Sequence, residues 1–453
     1  MKSFCAPLEG FTGRGRRGPP GSGGRPPAAR HVQILQGFGR GGKLFLIAIR
    51  ECCPSETSQI MISGALEGIT CIDISGHVAG PYASSLLGDL GCEVIKIELP
   101  DGGDTHRGRN PKYEGYGPSF RALNRNKKSL TLDLRHAKAR EILFRLLERA
   151  DVLLENFRPP TRARLGLDYG TLNPLNPRLI HCSISGYGQS GPYRDKPGFD
   201  TIGQALGGMM SLVTDLDDPK VAGVSFVDHA AGIFAAHGIM AALLARTRTG
   251  AGQFIDVSLL QVAVAFIESH VADYLNGGEA VSRENFPKGR IYSLLDCERK
   301  PFLVHLSGHN EAWEGLLGAA ELDHLAGDPR FASRKDRADR HEEIVALLRE
   351  QFRKKPRAYW LPRLDAHRIP NAPINTISEV FEDPQIKHMG IPKKIVHPQM
   401  GATNLVGSPI NLSATPPKFF RAAPLLGEHT DEILERLGCG AGDITELRRS
   451  GVV

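Results

Sequence analysis

The sequence predicts an α/β fold: an open parallel sheet with a second, smaller α/β module beside it. Three observations lead there. From Gly68 onward, runs rich in Val and Ile alternate with runs whose apolar residues recur at helical spacing. Gly- and Pro-containing turns follow the strand-like runs, where an open α/β sheet binds its ligands. Past Gly252 the rhythm changes, and 453 residues exceed what one ordinary core accommodates.

Taken in order, GITCIDIS is a strand, HVAGPYASSLLGDLG a turn and helix, and CEVIKIE the parallel partner strand. KSLTLDL is a strand, HAKAREILFRLLERA an amphipathic helix, DVLLEN a strand and LIHCSISG another. IGQALGGMMSL is a helix that Asp200 caps. GVSFVDHAAGIFAAHGIMAALLARTRTGAGQ then gives a small-residue helix with a carboxylate, Asp228, near its start. The strand QFIDVSL, the long helix LLQVAVAFIESHVADYLNGG, the strand FLVHLSG and helices through RHEEIVALLREQFRKK form the smaller module. The resulting division is a large domain over 61–252, a small domain over 253–369 and a C-terminal return to the large domain over 370–453.

Residues 1–60 differ from everything after them. They hold nine Lys and Arg against three Glu, which leaves 47 of each sign from Met61 onward, so the net charge of +6 belongs to this segment. With eleven Gly and six Pro and neither hydrophobic period, the segment is expected to be a disordered basic tail. It reads as an Arg-Gly nucleic-acid contact, as a targeting peptide or as sequence upstream of the natural start. The last is favoured, because patterning begins just after Met61.

The composition, 41% hydrophobic and 23% charged, is that of a water-soluble globular chain, and no apolar run reaches the length of a membrane span. The eight cysteines show no CxxC pair, which points to a reducing compartment and no metal site. No GxGxxG or GxxxxGK[ST] follows a strand, so an ordinary dinucleotide or triphosphate site is not supported. The strand ends carry Gly, Arg and amide groups instead: HVAGP, PDGGDTHRG, NFRPPTRARLG and GYGQSGPY. That chemistry suits a large anion bearing phosphates. Asp228 has two readings on its own terms, a helix cap or a carboxylate nucleophile in a pocket walled by Ala and Gly.

AGPYASSLLGDLGCEVIKIE, NRNKKSLTLDL, ADVLLENFRP, NPRLIHCSISGYGQSGP, TGAGQFIDVSLL and APLLGEHTDEIL, in this order from about Gly64 to the C-terminus, resemble the family III CoA-transferases. The resemblance implies a Rossmann-like large domain with an inserted smaller domain, and an interlocked homodimer. It implies that coenzyme A or acyl-CoA is a substrate, with no permanently bound cofactor. The matching nucleophile is Asp228, which the positive end of its helix is expected to hold ionised. The matching CoA contacts are Val78, Ala79, Leu132, Arg135, Asn156, Phe157 and Arg164, with Lys196 as a weaker candidate. Arg135 and Arg164 would pair with CoA phosphates; read without the family, each is a solvated surface arginine.

The implied reaction moves CoA from an acyl-CoA donor to a small carboxylic acid through aspartyl anhydride and aspartyl-CoA intermediates. Two departures stand out. Leu99 replaces an Arg of formyl-CoA transferase, and the glycine-rich loop of that enzyme has no counterpart between Gly277 and Phe302.

Two rival readings are weighed. α-Methylacyl-CoA racemases carry Gly-His-Asp-Ile-Asn-Tyr where this chain has GFDTIG at 198–203, and the missing His and Tyr disfavour proton transfer. A nucleic-acid binder acting through the basic tail is disfavoured by the charge-neutral body. His305, His309 and Trp313 would lie in the small domain near the acceptor, or be surface His and core Trp. The expected location is cytoplasmic, or the mitochondrial matrix if the tail is a transit peptide, with no membrane partner.

Overall fold

The computed structural model of the chain describes residues 64–110, 112, 116–283, 290–306 and 309–453, and the strands at 35–38 and 44–47. Residues 1–61 and 62–453 are separate compact units. In the first, β1 (Leu35–Phe38) and β2 (Leu44–Ile47) pair antiparallel, a pairing the sequence reading did not include. The segments LQGF and LFLI supply four ladder positions. The rest of the tail reading falls outside the described residues.

In the second unit the elements run β3 (Thr70–Asp73), α1 (Ala79–Asp89), β4 (Glu93–Glu98), α2 (Pro118–Asn124), β5 (Lys127–Thr131), α3 (Ala137–Leu147) and β6 (Val152–Glu155). Then come α4 (Pro159–Arg164), α5 (Tyr169–Leu175), β7 (Ile180–Ser185), α6 (Asp200–Leu206), α7 (Met209–Val213), α8 (Phe226–Thr249) and β8 (Phe254–Ser258). The six strands from β3 to β8 form one parallel sheet in the order β5-β4-β3-β6-β7-β8. The order reverses between β3 and β6, and an open sheet has its ligand crevice at such a switch point, beyond the carboxyl ends of the strands.

Alternate strand residues face opposite layers. Cys71, Val94, Leu154 and Cys182 pack under α1 and α8, whereas Ile72, Ile95, Leu130 and Leu153 pack under α3 and the C-terminal helices. The α1–α8 contact is close because Gly232 has no side chain: a Cβ there would stand 2.8 Å from the carbonyl oxygen of Ala79. Among the described residues α8 is the one helix long and apolar enough to cross a membrane, where the sequence reading found no apolar run of that length. Its packing identifies it as a core helix. Ala231, Ala235 and Ile239 are buried, and the buried Arg246 pairs with Asp151 at 2.7 Å.

After β8 come α9 (Leu259–Phe266), α10 (Glu268–Leu275), β9 (Ile291–Leu295), β10 (Pro301–His305), α11 (Asn310–Ala319), α12 (Arg334–Asp339), α13 (His341–Phe352), α14 (Arg357–Ala366) and β11 (Asn371–Pro373). The strands β11-β10-β9 make a small antiparallel sheet over a core of Tyr292, Phe302, Trp313, Phe352 and Trp360. The chain closes with α15 (Ile377–Val380), α16 (Pro384–Met389), the hairpin β12 (Pro392–His397) and β13 (Gly401–Val406), then α17 (Thr430–Arg436) and α18 (Ala441–Arg449). The last two helices cover the second face of the main sheet through Ile433, Leu434, Ile444 and Leu447.

Several expected boundaries move. Phe254–Ser258, assigned to the small domain, is the edge strand of the main sheet, paired in register with His181–Ser185. Val262 and Ala263 of α9 join that sheet's core, and Asn371–Pro373, assigned to the return, pairs with β10. Pairing partners far away in sequence decide these placements, and local pattern does not carry them. Two expected continuous helices are broken: IGQALGGMMSL at Gly207–Gly208, where Gly208 has φ 84°, and LLQVAVAFIESHVADYL at Ile267.

Candidate active site

The site starts where β3 ends. Asp73 is fully buried, and its Oδ1 accepts the Ser75 N–H at 2.9 Å and the Ser75 hydroxyl at 2.5 Å. Its Oδ2 accepts from Ser84 Oγ at 2.6 Å and from Lys127 Nζ at 3.1 Å. Burial pushes this carboxyl up, but Lys127, Lys96 and the two hydroxyls outweigh it and hold it well below the usual carboxylate range. Lys96, also fully buried, donates to the Ser75 carbonyl at 2.8 Å and pairs with Asp104 at 3.0 Å. Asp104 in turn accepts the backbone N–H of His77 at 3.3 Å. This lattice of paired charges holds His77 in the left-handed region, φ 66°, a conformation a β-carbon disfavours and surrounding structure must impose.

Across the switch point, Asn156 joins the two strand ends. Its Oδ1 accepts the Gly76 N–H at 3.0 Å and its Nδ2 donates to the Gly76 carbonyl at 2.8 Å. Two cavities meet over this stitch and share His77, Asn156 and Phe157. The first, about 520 Å³, is lined by Leu99, Leu132, Arg135 and Arg164 among others. The second, about 370 Å³, is lined by Val78, Ala79, Lys196 and Asp228. Every residue expected from the resemblance therefore lines one groove of two adjoining cavities: the larger carries Arg135 and Arg164 among balancing carboxylates, and the smaller sets Asp228 among Arg158, Arg194 and Lys196.

Some of these residues stand differently from expectation. Arg135 is largely exposed and already holds Asp133 through two prongs, Nε to Oδ1 at 2.9 Å and NH2 to Oδ2 at 2.7 Å, so only its remaining donors face outward. Leu132, Val78 and Ala79 are buried, while Lys196 is exposed with Nζ 3.7 Å from the Tyr193 ring centre. Leu99 is 46% exposed on the cavity wall where an Arg was missed. Arg107 does not replace that charge, because its guanidinium is bidentate on Glu98 at 2.7 Å and 2.7 Å. The Gly277–Phe302 stretch falls partly outside the described residues. Trp313 is a core residue, His305 and His309 are exposed, and none of the three lines either cavity.

The Asp228 end carries the main correction. Ser225 is the N-cap position of α8 and makes no side-chain capping bond. Asp200, expected to cap its own helix, caps α8 instead: its Oδ1 accepts the N–H groups of Val227 at 2.8 Å and Asp228 at 3.0 Å. Gln204 holds Asp200 in place, donating to its Oδ2 at 2.5 Å and to the Val224 carbonyl at 3.0 Å. With the cap supplied from another helix, the Asp228 carboxylate accepts no hydrogen bond among the described residues. Burial, and then the charge of Asp200, push its pKa up to about 6, against a lowering from His229. The expected helix-dipole effect is thus overruled, because the helix end already has an anion and the carboxylate is largely buried.

Sequence reasoning missed three contributors: His77, whose left-handed backbone has no local signature, the Asp200–Gln204 brace, and the cations Arg158 and Arg194 on the wall of the smaller cavity. The spacing of Asp200 and Gln204, one helical turn, was a signal for a side-chain pair but not for its target.

Comparison with known proteins agrees with this geometry. The model of CoA-transferase family III matches residues 66–430. Succinyl-CoA:glutarate CoA-transferase of Mus musculus is 35% identical over 392 residues, covering 86% of this chain and 90% of that protein. Acetyl-CoA:oxalate CoA-transferase of Acetobacter aceti is 34% identical, covering 79% of this chain and 92% of that protein. A solved CaiB/BaiF family protein from Brucella suis superposes with a TM-score of 0.74 at 34% identity, covering 83% of this chain and all of that one. The chain belongs to CoA-transferase family III, enzymes that transfer CoA.

Proposed function

We propose that the protein moves CoA from an acyl-CoA donor to a small dicarboxylic acid, with Asp228 as the covalent carrier. The observation that carries this is a carboxylate with no hydrogen-bond partner among the described residues, set in the wall of a groove beside Arg158, Arg194 and Lys196, with Arg135 and Arg164 in the adjoining cavity. Asp228 attacks the donor thioester carbonyl; the C–S bond breaks and CoA thiolate leaves, giving a mixed anhydride. The thiolate then attacks the aspartyl carbonyl, releasing the donor acid and leaving aspartyl-CoA. The acceptor carboxylate repeats the exchange in reverse order: it displaces the thiolate to form a second anhydride, and the thiolate takes the acceptor acyl group and frees Asp228. Each step trades one activated acyl bond for another, so the chemistry needs position and dryness more than an energy source.

A pKa of about 6 keeps Asp228 largely ionised at neutral pH while making it more basic, and so more nucleophilic, than an ordinary carboxylate. Relatives named for glutarate, oxalate and mesaconate support a dicarboxylic acceptor. Arg158, Arg194 and Lys196 beside Asp228 supply charge for a second carboxylate. The protein acts as a homodimer in this reading. Ile202 and Leu206 of α6, Ile233 and Phe234 of α8, and Phe266 of α9 expose apolar side chains on three mutually packed helices, which supports a partner surface there.

The test is incubation with succinyl-CoA and a panel of mono- and dicarboxylic acids, with acyl-CoA products identified by mass. Dicarboxylates should yield new acyl-CoA, and hydroxylamine added during turnover should label Asp228. Asp228→Ala should abolish exchange; exchange at the wild-type rate in that variant removes Asp228 from the mechanism.

A further inference from the structure

Behind the groove lies a second buried charge cluster that the mechanism above does not use. Glu155, the last residue of β6, is 0% exposed, and its Oε2 accepts the backbone N–H of Phe157 at 2.7 Å. Its Oε1 has no hydrogen-bond partner among the described residues, yet stands 3.5 Å from His181 Nε2 and 3.7 Å from Arg162 NH1. His181 is also 0% exposed, with both ring nitrogens unpartnered. Arg162 NH1 donates to Gln189 Oε1 at 2.5 Å and to Ser183 Oγ at 3.3 Å. Gln189 closes the chain of contacts, its amide donating to Ser183 Oγ at 2.9 Å and its backbone N–H to Asp256 Oδ2 at 3.1 Å.

These groups tie together two segments that leave adjacent strands. After β6 comes the turn carrying Asn156, Phe157 and Arg158; after β7 comes the loop from Gly186 to Gly198. Both line the cavity that contains Asp228, and Asn156 and Phe157 also line the other cavity. Neither Glu155 nor Arg162 lines either one. Burying charges this completely is costly unless they are paired, and here they are paired to loop atoms more than to each other.

We propose that Glu155 and Arg162 are positioning residues that fix the Asn156–Phe157 turn to the loop after β7, and so set how a CoA arm lies against Asp228. This rests on the reading of the groove as the CoA site. It assigns the pair no contact with ligand and no part in the bond-making steps.

The test uses the full-length protein, with free coenzyme A binding measured by calorimetry and exchange kinetics measured separately. Arg162→Met should weaken CoA binding by about tenfold and raise KM for the acyl-CoA to match, with KM for the acceptor acid changed by less than about twofold, as expected for one lost charge-assisted contact. Arg162→Lys, which restores a cation at that position, should recover binding. A purely structural role predicts something else. In Glu155→Gln/Arg162→Met both charges are gone, so the Tm lost in either single variant should return. CoA binding should remain weak in that double variant.

Wild-type CoA affinity in Arg162→Met, or affinity that recovers together with Tm in the double variant, overturns the proposal. Failure of the wild-type protein to bind CoA overturns both this inference and the reading of the groove. CoA binding without exchange, weakened in Arg162→Met, overturns the transferase reading and leaves this inference standing.

Discussion

The two ends of the groove treat charge in opposite ways. Under the larger cavity, Asp73, Lys127, Lys96 and Asp104 are all buried and each meets an opposite charge within about 3 Å. At the other end, Asp228 meets no donor among the described residues, and the charge that acts on it most strongly is another carboxylate, Asp200. The first arrangement is that of structure: it fixes an unfavourable backbone at His77 and resists change. The second is that of chemistry, because a carboxylate satisfied by hydrogen bonds would be a poor nucleophile. Compensation is complete where the site must stay still and withheld where it must react.

The sharpest way to break this contrast is Asp228→Asn. Exchange should fall by at least about a thousandfold, the order lost with an essential nucleophile. Stability should move the other way. The folded-state pKa of about 6 lies above the ordinary 3.8, so the folded protein binds this proton more tightly than the unfolded chain. The residue therefore costs nothing below about pH 4, and its cost grows as pH rises through about 6 and persists above that. The Asn variant should melt a few degrees higher at about pH 8 and match the wild type near pH 4 in thermal scans. A lower Tm at about pH 8 would mean that Asp228 is held by contacts after all.

At the compensated end the same kind of change should be ruinous rather than helpful. Lys127→Met leaves Asp73 with one of its two cations and strands the carbonyl of Pro81 and the amide oxygen of Asn124, to which Lys127 Nζ donates at 2.9 Å each. Breaking a buried pair from one side costs about 3–5 kcal/mol, visible as a lower urea midpoint. Asp73→Asn/Lys127→Met should recover much of that loss. If Lys127→Met alone unfolds no more easily than wild type, the charge lattice under the groove is not what holds the His77 turn.

What could be read from the sequence divides along a similar line. The strands, α1, α3 and the turn segments HVAGP and ENF were legible because their information is local: Val and Ile runs, helical spacing, Gly and Pro at the strand ends. Asp228 was singled out through the segments around it. The sequence could not show that Asp200 caps N–H groups 27 and 28 residues further on, because a cap supplied across helices leaves no pattern in either of them. The same holds for β8, whose place at the sheet edge depends on pairing with His181–Ser185, and for Glu155, which looks like the end of a strand until Arg162 and His181 close around it. Distant pairing, not propensity, decided each of these.

The mildest test of the comparison changes only the charge that disturbs Asp228. Asp200→Asn keeps an oxygen to accept the Val227 and Asp228 N–H groups, so α8 should stay capped. It removes the second cause of the raised pKa and leaves the first, burial, in place. The reacting form of Asp228 is the ionised one, so exchange in the wild type should fall as pH drops through about 6. In Asp200→Asn that acidic limb should move to lower pH, by less than about one unit because burial remains, and the rate at about pH 5 should be a larger share of its plateau. The plateau itself should drop a few-fold, since a less basic carboxylate attacks less readily. An acidic limb that stays where it was would show that Asp200 serves α8 as a cap alone, and that burial by itself sets the carboxylate.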